Sequence, residues 1–297
     1  MPELPEVEAL RIGLTKYLPG RTITKVEVLK PKLISGRGNI RRASSKKTTT
    51  FIHGLTNATF KQIERRAKNL KFIFKDGQIM LVHLKMTGQL VYVGPRSRVD
   101  GGHPIKESNR ELPNKQTRII FHLDKGTLYY NDTRQFGYLL YYPDEAAFQK
   151  ENHFELHGPE PLNPEFTEEY FVSALKKRTG VVKPVLMGQE VVVGLGNIYA
   201  DEVCFAAGVR PTRKISSLKR GEIGRLYWAI RSILKRAIEL GGSSVSDHRL
   251  ADGSRGNYAR EHKVYGRSGE ACLVCGSLLK TVQCGGRTTV YCPRCQR

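Results

Sequence analysis

The sequence predicts a chain of the α+β class built as more than one domain, and three observations predict it. Before residue 150, short runs of alternating apolar and polar residues are separated by turn signals, which reads as antiparallel strands. Beyond residue 164 the apolar residues recur at helical spacing. Near the end, Cys272-x2-Cys275 and Cys292-x2-Cys295 bracket a short strand pair. A length of 297 residues suits two domains, or one with an appendage.

Residues 2–18 read as a helix, with Pro5 near its start, where a missing N–H costs little, and Val7, Leu10 and Leu14 along one face. Thr22–Leu29 follows as a strand. Leu70–Lys75 and Gln78–Leu84 flank Asp76-Gly77, a hairpin signal. Thr117–Leu123 and Thr127–Asn131 flank a second turn at Asp124-Lys125-Gly126, and Gly137–Tyr142 is a further strand. Together these predict a two-layered β domain with the first helix against it. Residues 35–50 and 94–116 are polar, basic and rich in turn formers, and are expected as long loops. A turn-rich linker lies at His157–Pro164. Leu226, Ile230, Leu234 and Ala237 line one face of a later helix that Gly241-Gly242 stops, and residues 243–262 are expected as another loop.

Charge narrows the function. Forty-nine Lys and Arg against 28 Asp and Glu leave a net +21. Residues 30–75 hold thirteen basic side chains and one acid, Glu64, and residues 241–297 hold nine basic and four acidic ones. Two separated basic regions favour a polyanion, above all nucleic acid, gripped from both halves. Hydrophobic residues at 39% exclude a disordered or collagen-like chain. No apolar run reaches the roughly 18 residues that span a bilayer. Glu3, Glu6 and Glu8 stand where a signal peptide carries positive charge, so a soluble intracellular protein is expected.

The four cysteines at 272, 275, 292 and 295 have the double Cys-x2-Cys spacing of a tetrahedral zinc site. Four thiolates leave no open position for water, so such a zinc is structural. Two disulfides are the other reading, disfavoured for an intracellular chain. Cys204 and Cys284 fall outside the spacing, and Cys204 reads as a small core residue. Arg287 beside Gly285-Gly286 is a candidate phosphate contact at the tip of the strand pair.

The start of the chain offers a nucleophile. Removal of Met1 would leave Pro2 with a secondary amine. An α-amino group with pKa near 8 is roughly a tenth deprotonated at neutral pH, against about one lysine in two thousand. Glu3 and Glu6 share a helical face beside that amine and could move protons. Acids in a first turn also simply complement the helix dipole.

Pro2-Glu3-Leu4-Pro5-Glu6-Val7-Glu8 resembles the N-terminus of the formamidopyrimidine-DNA glycosylase/endonuclease VIII family, and specifically its bacterial 8-oxoguanine-repair branch. The likeness runs through the chain. Arg65-Arg66-Ala67-Lys68 resembles the family's basic motif. His83–Gly88 and Asp132–Gly137 resemble its two DNA-wedge loops. Gly194–Ala200 resembles its helix–two-turn–helix signature. Val264-Tyr265-Gly266-Arg267 leads into its zinc finger, which closes on Cys292-Pro293-Arg294-Cys295-Gln296.

The resemblance implies an N-terminal antiparallel β-sandwich with flanking helices over residues 1–150 and a linker at 151–164. A helix–two-turn–helix DNA-binding domain with a lesion-capping loop follows at 165–263, then a β-hairpin zinc finger at 264–297 holding one structural zinc. It implies a bifunctional DNA glycosylase and abasic-site lyase of base excision repair, a monomer in the bacterial cytoplasm and nucleoid with no membrane contact. Its partner would be double-stranded DNA carrying an oxidised purine or an abasic site, lying in a cleft between the halves. Catalysis would fall to Pro2 as nucleophile, Glu3 as acid/base, Glu6 holding the amine, and Lys68 as a second catalytic group. The flipped-out base costs a few kcal/mol of stacking, and Met86, Arg134 and Phe136 would fill its place. Lys183, Asn197 and Arg287 would contact phosphate.

Leu4 separates the chain from the endonuclease VIII branch, where Gly is usual. His248, Arg255, Asn257 and Arg260 depart from the family's usual capping loop and leave base preference open. The alternatives are a sister enzyme that removes oxidised pyrimidines, and a non-catalytic zinc-ribbon binder of damaged DNA.

Overall fold

Strand-forming and helix-forming stretches separate along the chain into two units. The structure is a computed structural model that describes residues 1–38, 41–102, 111–151, 154–243 and 257–297. The described part of the first unit runs to Glu151 and includes Gly241–Ser243; the second holds Phe154–Leu240 and Asn257–Arg297.

In the first unit, helix α1 (Leu4–Thr15) starts at Glu3, whose extended backbone makes it the N-cap, with Pro5 in the first turn. Its buried face is Leu4, Val7, Leu10 and Leu14. Strand β1 (Ile23–Val28) and a 3-10 turn (Pro31–Ile34) precede helix α2 (Ser45–Leu55). Then come β2 (Phe60–Arg66), β3 (Asn69–Phe74), β4 (Ile79–His83), β5 (Gly88–Gly94) and β6 (Ser97–Gly102). The series ends with β7 (Thr117–Leu123), β8 (Thr127–Asp132), β9 (Tyr138–Tyr142) and helix α3 (Glu145–Lys150). The strands form two antiparallel sheets, ordered β1-β7-β8-β5-β6 and β2-β3-β4-β9. Phe60, Phe72, Phe74, Phe121, Tyr130 and Leu139 belong to the core that both sheets share with α1 and α2. At about 25 cal/mol per Å² of apolar surface, this burial dominates the stability of the unit.

Two expected loops are partly regular. Residues 45–50 open helix α2, whose N-cap Ser44 Oγ accepts the Lys47 N–H at 3.3 Å. Its threonines are poor helix formers, but Phe51 and Leu55 bury against the core and hold it. Residues 97–102 form β6, fixed by pairing with β5 from Gln89↔Gly102 to Gly94↔Ser97. Strands β2 and β5 lacked a clear alternation. A register shift between Phe60 and Gln62 breaks the period of β2, and β5 buries five consecutive residues.

In the second unit, α4 (Glu168–Lys176), α5 (Val182–Met187), α6 (Asn197–Ala206) and α7 (Arg220–Glu239) pack round Phe166, Phe171, Tyr199 and Tyr227. The predicted stripe Leu226, Ile230, Leu234 and Ala237 is buried. Strands β10 (Lys280–Cys284) and β11 (Arg287–Tyr291) make the hairpin. Of the expected loop 243–262, Tyr258–Glu261 is a 3-10 turn. His248 and Arg255 lie outside the described residues.

Candidate functional site

The first turn of α1 is more than a dipole complement. Glu3 and Glu6 are buried, at 2% and 5% exposure, and Pro2 is buried beside them. Acids serving only the dipole would sit in water. Glu6 divides its carboxylate. Oε2 accepts the Glu3 N–H at 2.9 Å, and Oε1 accepts the Ser243 N–H at 2.6 Å. Gly242 makes that approach possible: its φ is +85°, and a Cβ there would lie 2.7 Å from Glu6 Oε1.

One turn on, Glu8 ties α1 to the basic motif. Its Oε2 accepts from Arg65 Nε at 2.8 Å, and its Oε1 from Arg11 Nη2 at 2.6 Å. Burial pushes the Glu8 carboxyl up, but the hydrogen bonds and charges of Arg11 and Arg65 outweigh it and hold it below the usual carboxylate range. Arg65 Nη1 in turn donates to the Ala67 carbonyl at 3.0 Å. Ala67 and Lys68 form the tight turn between β2 and β3, with Ala67 at φ 53°. Lys68 is only 6% exposed there.

The two glycine-ended loops after β4 and β8 are knit by one carboxylate. Asp132, fully buried, accepts Thr87 Oγ1 and the Gln135 N–H on Oδ1, and the Gly137 N–H on Oδ2 at 2.8 Å. Thr87 Oγ1 also accepts the Arg134 N–H at 3.0 Å. A Cβ on Gly137 would collide with the Tyr130 hydroxyl. The loops present Met86, Arg134 and Phe136 together. The Arg134 guanidinium lies 4.6 Å over the Phe136 ring, and its Nη1 lies 3.2 Å from Met86 Sδ. Arg134 is exposed and the other two are half-buried.

In the second unit, Asn197 opens α6 and is half-buried. The turn before it is set by Gln189, which accepts the Gly194 N–H at 2.8 Å and donates to the Leu195 carbonyl at 2.8 Å. The start of α6 offers backbone donors to an anion. Arg287 is exposed at the hairpin tip, paired with Cys284 across Gly285-Gly286.

Lys183 requires a correction. Expected at a phosphate, it has no exposed surface. Its Nζ meets Asp201 Oδ1 at 2.7 Å, Thr289 Oγ1 at 2.8 Å and the Thr288 carbonyl at 3.3 Å. Three partners use its three donors. Asp201 Oδ2 accepts the Val290 N–H at 3.2 Å, so the pair joins α5 and α6 to β11. Burial pushes the Asp201 carboxyl up to about 6, with Lys183 opposing.

The sulfurs of Cys272, Cys275, Cys292 and Cys295 lie within 4.8 Å of one another, with Cys275–Cys292 at 3.4 Å and Cys272–Cys295 at 3.9 Å. Bonds of about 2.3 Å to a tetrahedral zinc put sulfurs about 3.8 Å apart, so the four fit that ion. Gln296, fully buried, accepts the Cys292 N–H at 2.7 Å and donates to the Val209 carbonyl at 3.0 Å, docking the knuckle on the helices. Glu202 accepts the N–H groups of Lys263, Val264 and Tyr265 at 2.8–3.0 Å and fixes the lead-in strand of chain. Cys204 and Cys284 are buried apart from the cluster.

A buried acid pair heading the first helix, two β loops knit by one carboxylate, a helix–two-turn–helix region and a four-cysteine hairpin define the class of zinc-finger DNA glycosylases. The comparisons specify it further. Residues 1–139 match the formamidopyrimidine-DNA glycosylase N-terminal domain, residues 157–249 its H2TH domain, and residues 269–297 the zinc finger found in FPG and IleRS. The formamidopyrimidine-DNA glycosylase of Desulfitobacterium hafniense is 36% identical over 296 residues, covering 100% of both chains. The Lactococcus lactis Fpg in complex with abasic-site DNA matches with TM-score 0.86 and 31% identity, over 99% of each chain. MutM in complex with carbocyclic 8-oxo-G DNA matches with TM-score 0.85 and 32% identity over 100% of each. The chain belongs to the formamidopyrimidine-DNA glycosylase family.

Proposed function

We propose that this chain excises oxidised purines, 8-oxoguanine and formamidopyrimidines, from duplex DNA in base excision repair and then cuts the strand at the abasic sugar. The observation that carries the residue assignment is the burial of Glu3 and Glu6 around Pro2, since solvated acids would serve the helix equally well. With Met1 removed, the Pro2 nitrogen attacks C1′ of the flipped nucleotide. The glycosidic electron pair leaves with the base, which takes up a proton. Glu3 protonates the sugar ring oxygen as the ring opens to an iminium. Loss of a C2′ proton then expels the 3′ phosphate, and a second elimination expels the 5′ phosphate.

Glu6 holds the Glu3 peptide and so sets where the amine points. Lys68, on its tight turn, contacts phosphate near the reacting sugar and acts as the second catalytic group. Met86 and Phe136 fill the gap in the stack, and Arg134 faces the orphaned base. Asn197 and Arg287 bind backbone phosphate. The zinc holds the hairpin that carries Arg287. Lys183 is kept as an internal tie. The four-part division at 1–150, 151–164, 165–263 and 264–297 belongs to this reading, as does action in the cytoplasm. No described helix is long and apolar enough to cross a membrane.

Borohydride reduction during reaction with an 8-oxoguanine duplex tests the proposal. A covalent protein–DNA adduct mapping to Pro2, and lost in Pro2→Gly and Glu3→Gln that still bind DNA, is the expected result. An adduct on a lysine in the wild-type protein would overturn it.

A further inference from the structure

The basic segment at 35–50 takes no part in the reaction above, yet one of its side chains reaches the wedge. Arg41 Nη1 donates to the Gly137 carbonyl at 2.7 Å and to the Gly36 carbonyl at 3.2 Å, and its Nη2 donates to the Gln135 carbonyl at 2.9 Å. Gln135 and Gly137 are the two residues whose N–H groups Asp132 also holds. The residues on either side of Phe136 are therefore each held twice, at the N–H by Asp132 and at the carbonyl by Arg41. The loop needs the grip. Gln135 sits at φ 55°, a left-handed conformation that a non-glycine residue keeps only when its surroundings impose it.

A guanidinium placed merely to add charge near DNA would turn its donors to solvent. That of Arg41 turns inward: its Nε is buried with no partner among the described residues. Burial lowers its pKa, against the attraction of Tyr130, Asp132 and Tyr138. The planar fork is what the geometry uses, because two carbonyls are reached at once by two nitrogens of one rigid group.

We propose that Arg41 is a positioning residue for base eviction, clamping the wedge loop through the Gln135 and Gly137 carbonyls so that the Phe136 ring is held ready to fill the stack. This rests on the wedge role assigned under the proposed function. An abasic site has no base to evict, so the clamp matters for excision and not for strand cutting at an abasic sugar.

The test compares Arg41→Ala and Arg41→Lys with wild type under single-turnover conditions. One duplex carries 8-oxoguanine, and the other carries a preformed abasic site. For Arg41→Ala the expected result is excision slowed about tenfold or more with abasic-site cutting within about threefold of wild type, the scale of loss from small misplacement. Arg41→Lys, with one nitrogen, restores excision only in part. Equal slowing on both duplexes, no slowing on either, or full recovery by lysine would overturn the clamp. Intact abasic-site cutting also shows that the variant is folded. A wild-type protein inactive on both duplexes would instead overturn the functional reading.

Discussion

The backbone N–H of Glu3 is held by the side chain of Glu6, at 2.9 Å, within the first turn of α1. The same carboxylate takes the Ser243 N–H, so it has no oxygen to spare. Glu6→Gln keeps the size but turns one oxygen into a donor, facing either Glu3 or Ser243 with the wrong polarity. A charge-assisted hydrogen bond is worth about 1.5–3 kcal/mol, which corresponds to roughly a tenfold or greater loss. Glu6→Gln should therefore lose that much of the borohydride-trapped adduct rate while DNA affinity changes little. Equal loss of affinity in a gel-shift titration would make the contact structural.

Lys183 and Arg287 should behave oppositely, although the sequence put both at phosphates. Lys183→Ala takes the partner from a buried carboxyl, which must then take up a proton or stay charged in the interior, a loss of about 3–5 kcal/mol. Urea unfolding should show it. Arg287→Ala should leave stability within about 0.5 kcal/mol and weaken DNA binding, with a shallower salt dependence. A stable Lys183→Ala protein with reduced salt slope would reverse this assignment.

Zinc removal should be selective. The small cluster of Val264, Leu279 and Val290 under the hairpin gives few apolar contacts, so the metal supplies much of its folding energy. Cys275→Ala or strong chelation should release zinc, measured by a colorimetric chelator, and lower DNA affinity about tenfold or more. The β unit should keep its near-ultraviolet circular dichroism. Full DNA binding by zinc-free protein would contradict the hairpin's role.

Acid should expose the Glu8–Arg65 tie. The folded-state pKa of Glu8 is lowered, so its stabilisation is present above the unfolded carboxylate value of about 4.3 and is lost as pH falls through the folded value. Glu8→Gln should melt below wild type at pH 7, and the gap should close as the pH drops below about 4. A gap that stays constant with pH would show that packing, not charge, carries the effect.

What the sequence revealed was mostly local. Start signals marked α1, a dipeptide marked the β3–β4 hairpin, and cysteine spacing marked the metal site, because each is decided within a few residues. Asp132, Arg41, Gln189 and Glu202 were not seen, since each acts on peptides that only the fold brings close. A faint sign existed for Asp132, which bonds the N–H three residues on, as aspartates in turns do. Lys183 misled because its phosphate role came from the family resemblance alone. Its neighbours Val182 and Pro184 and the buried face of α5 decide its place.

The Thr87–Asp132 contact ties two loops far apart in sequence into one rigid unit, the probe of the proposed function. A probe already ordered gives up little conformational entropy when it enters the duplex. In that proposed role the toll for interrogating each base step is set by how readily the DNA itself unstacks, which is least at a damaged or mismatched base.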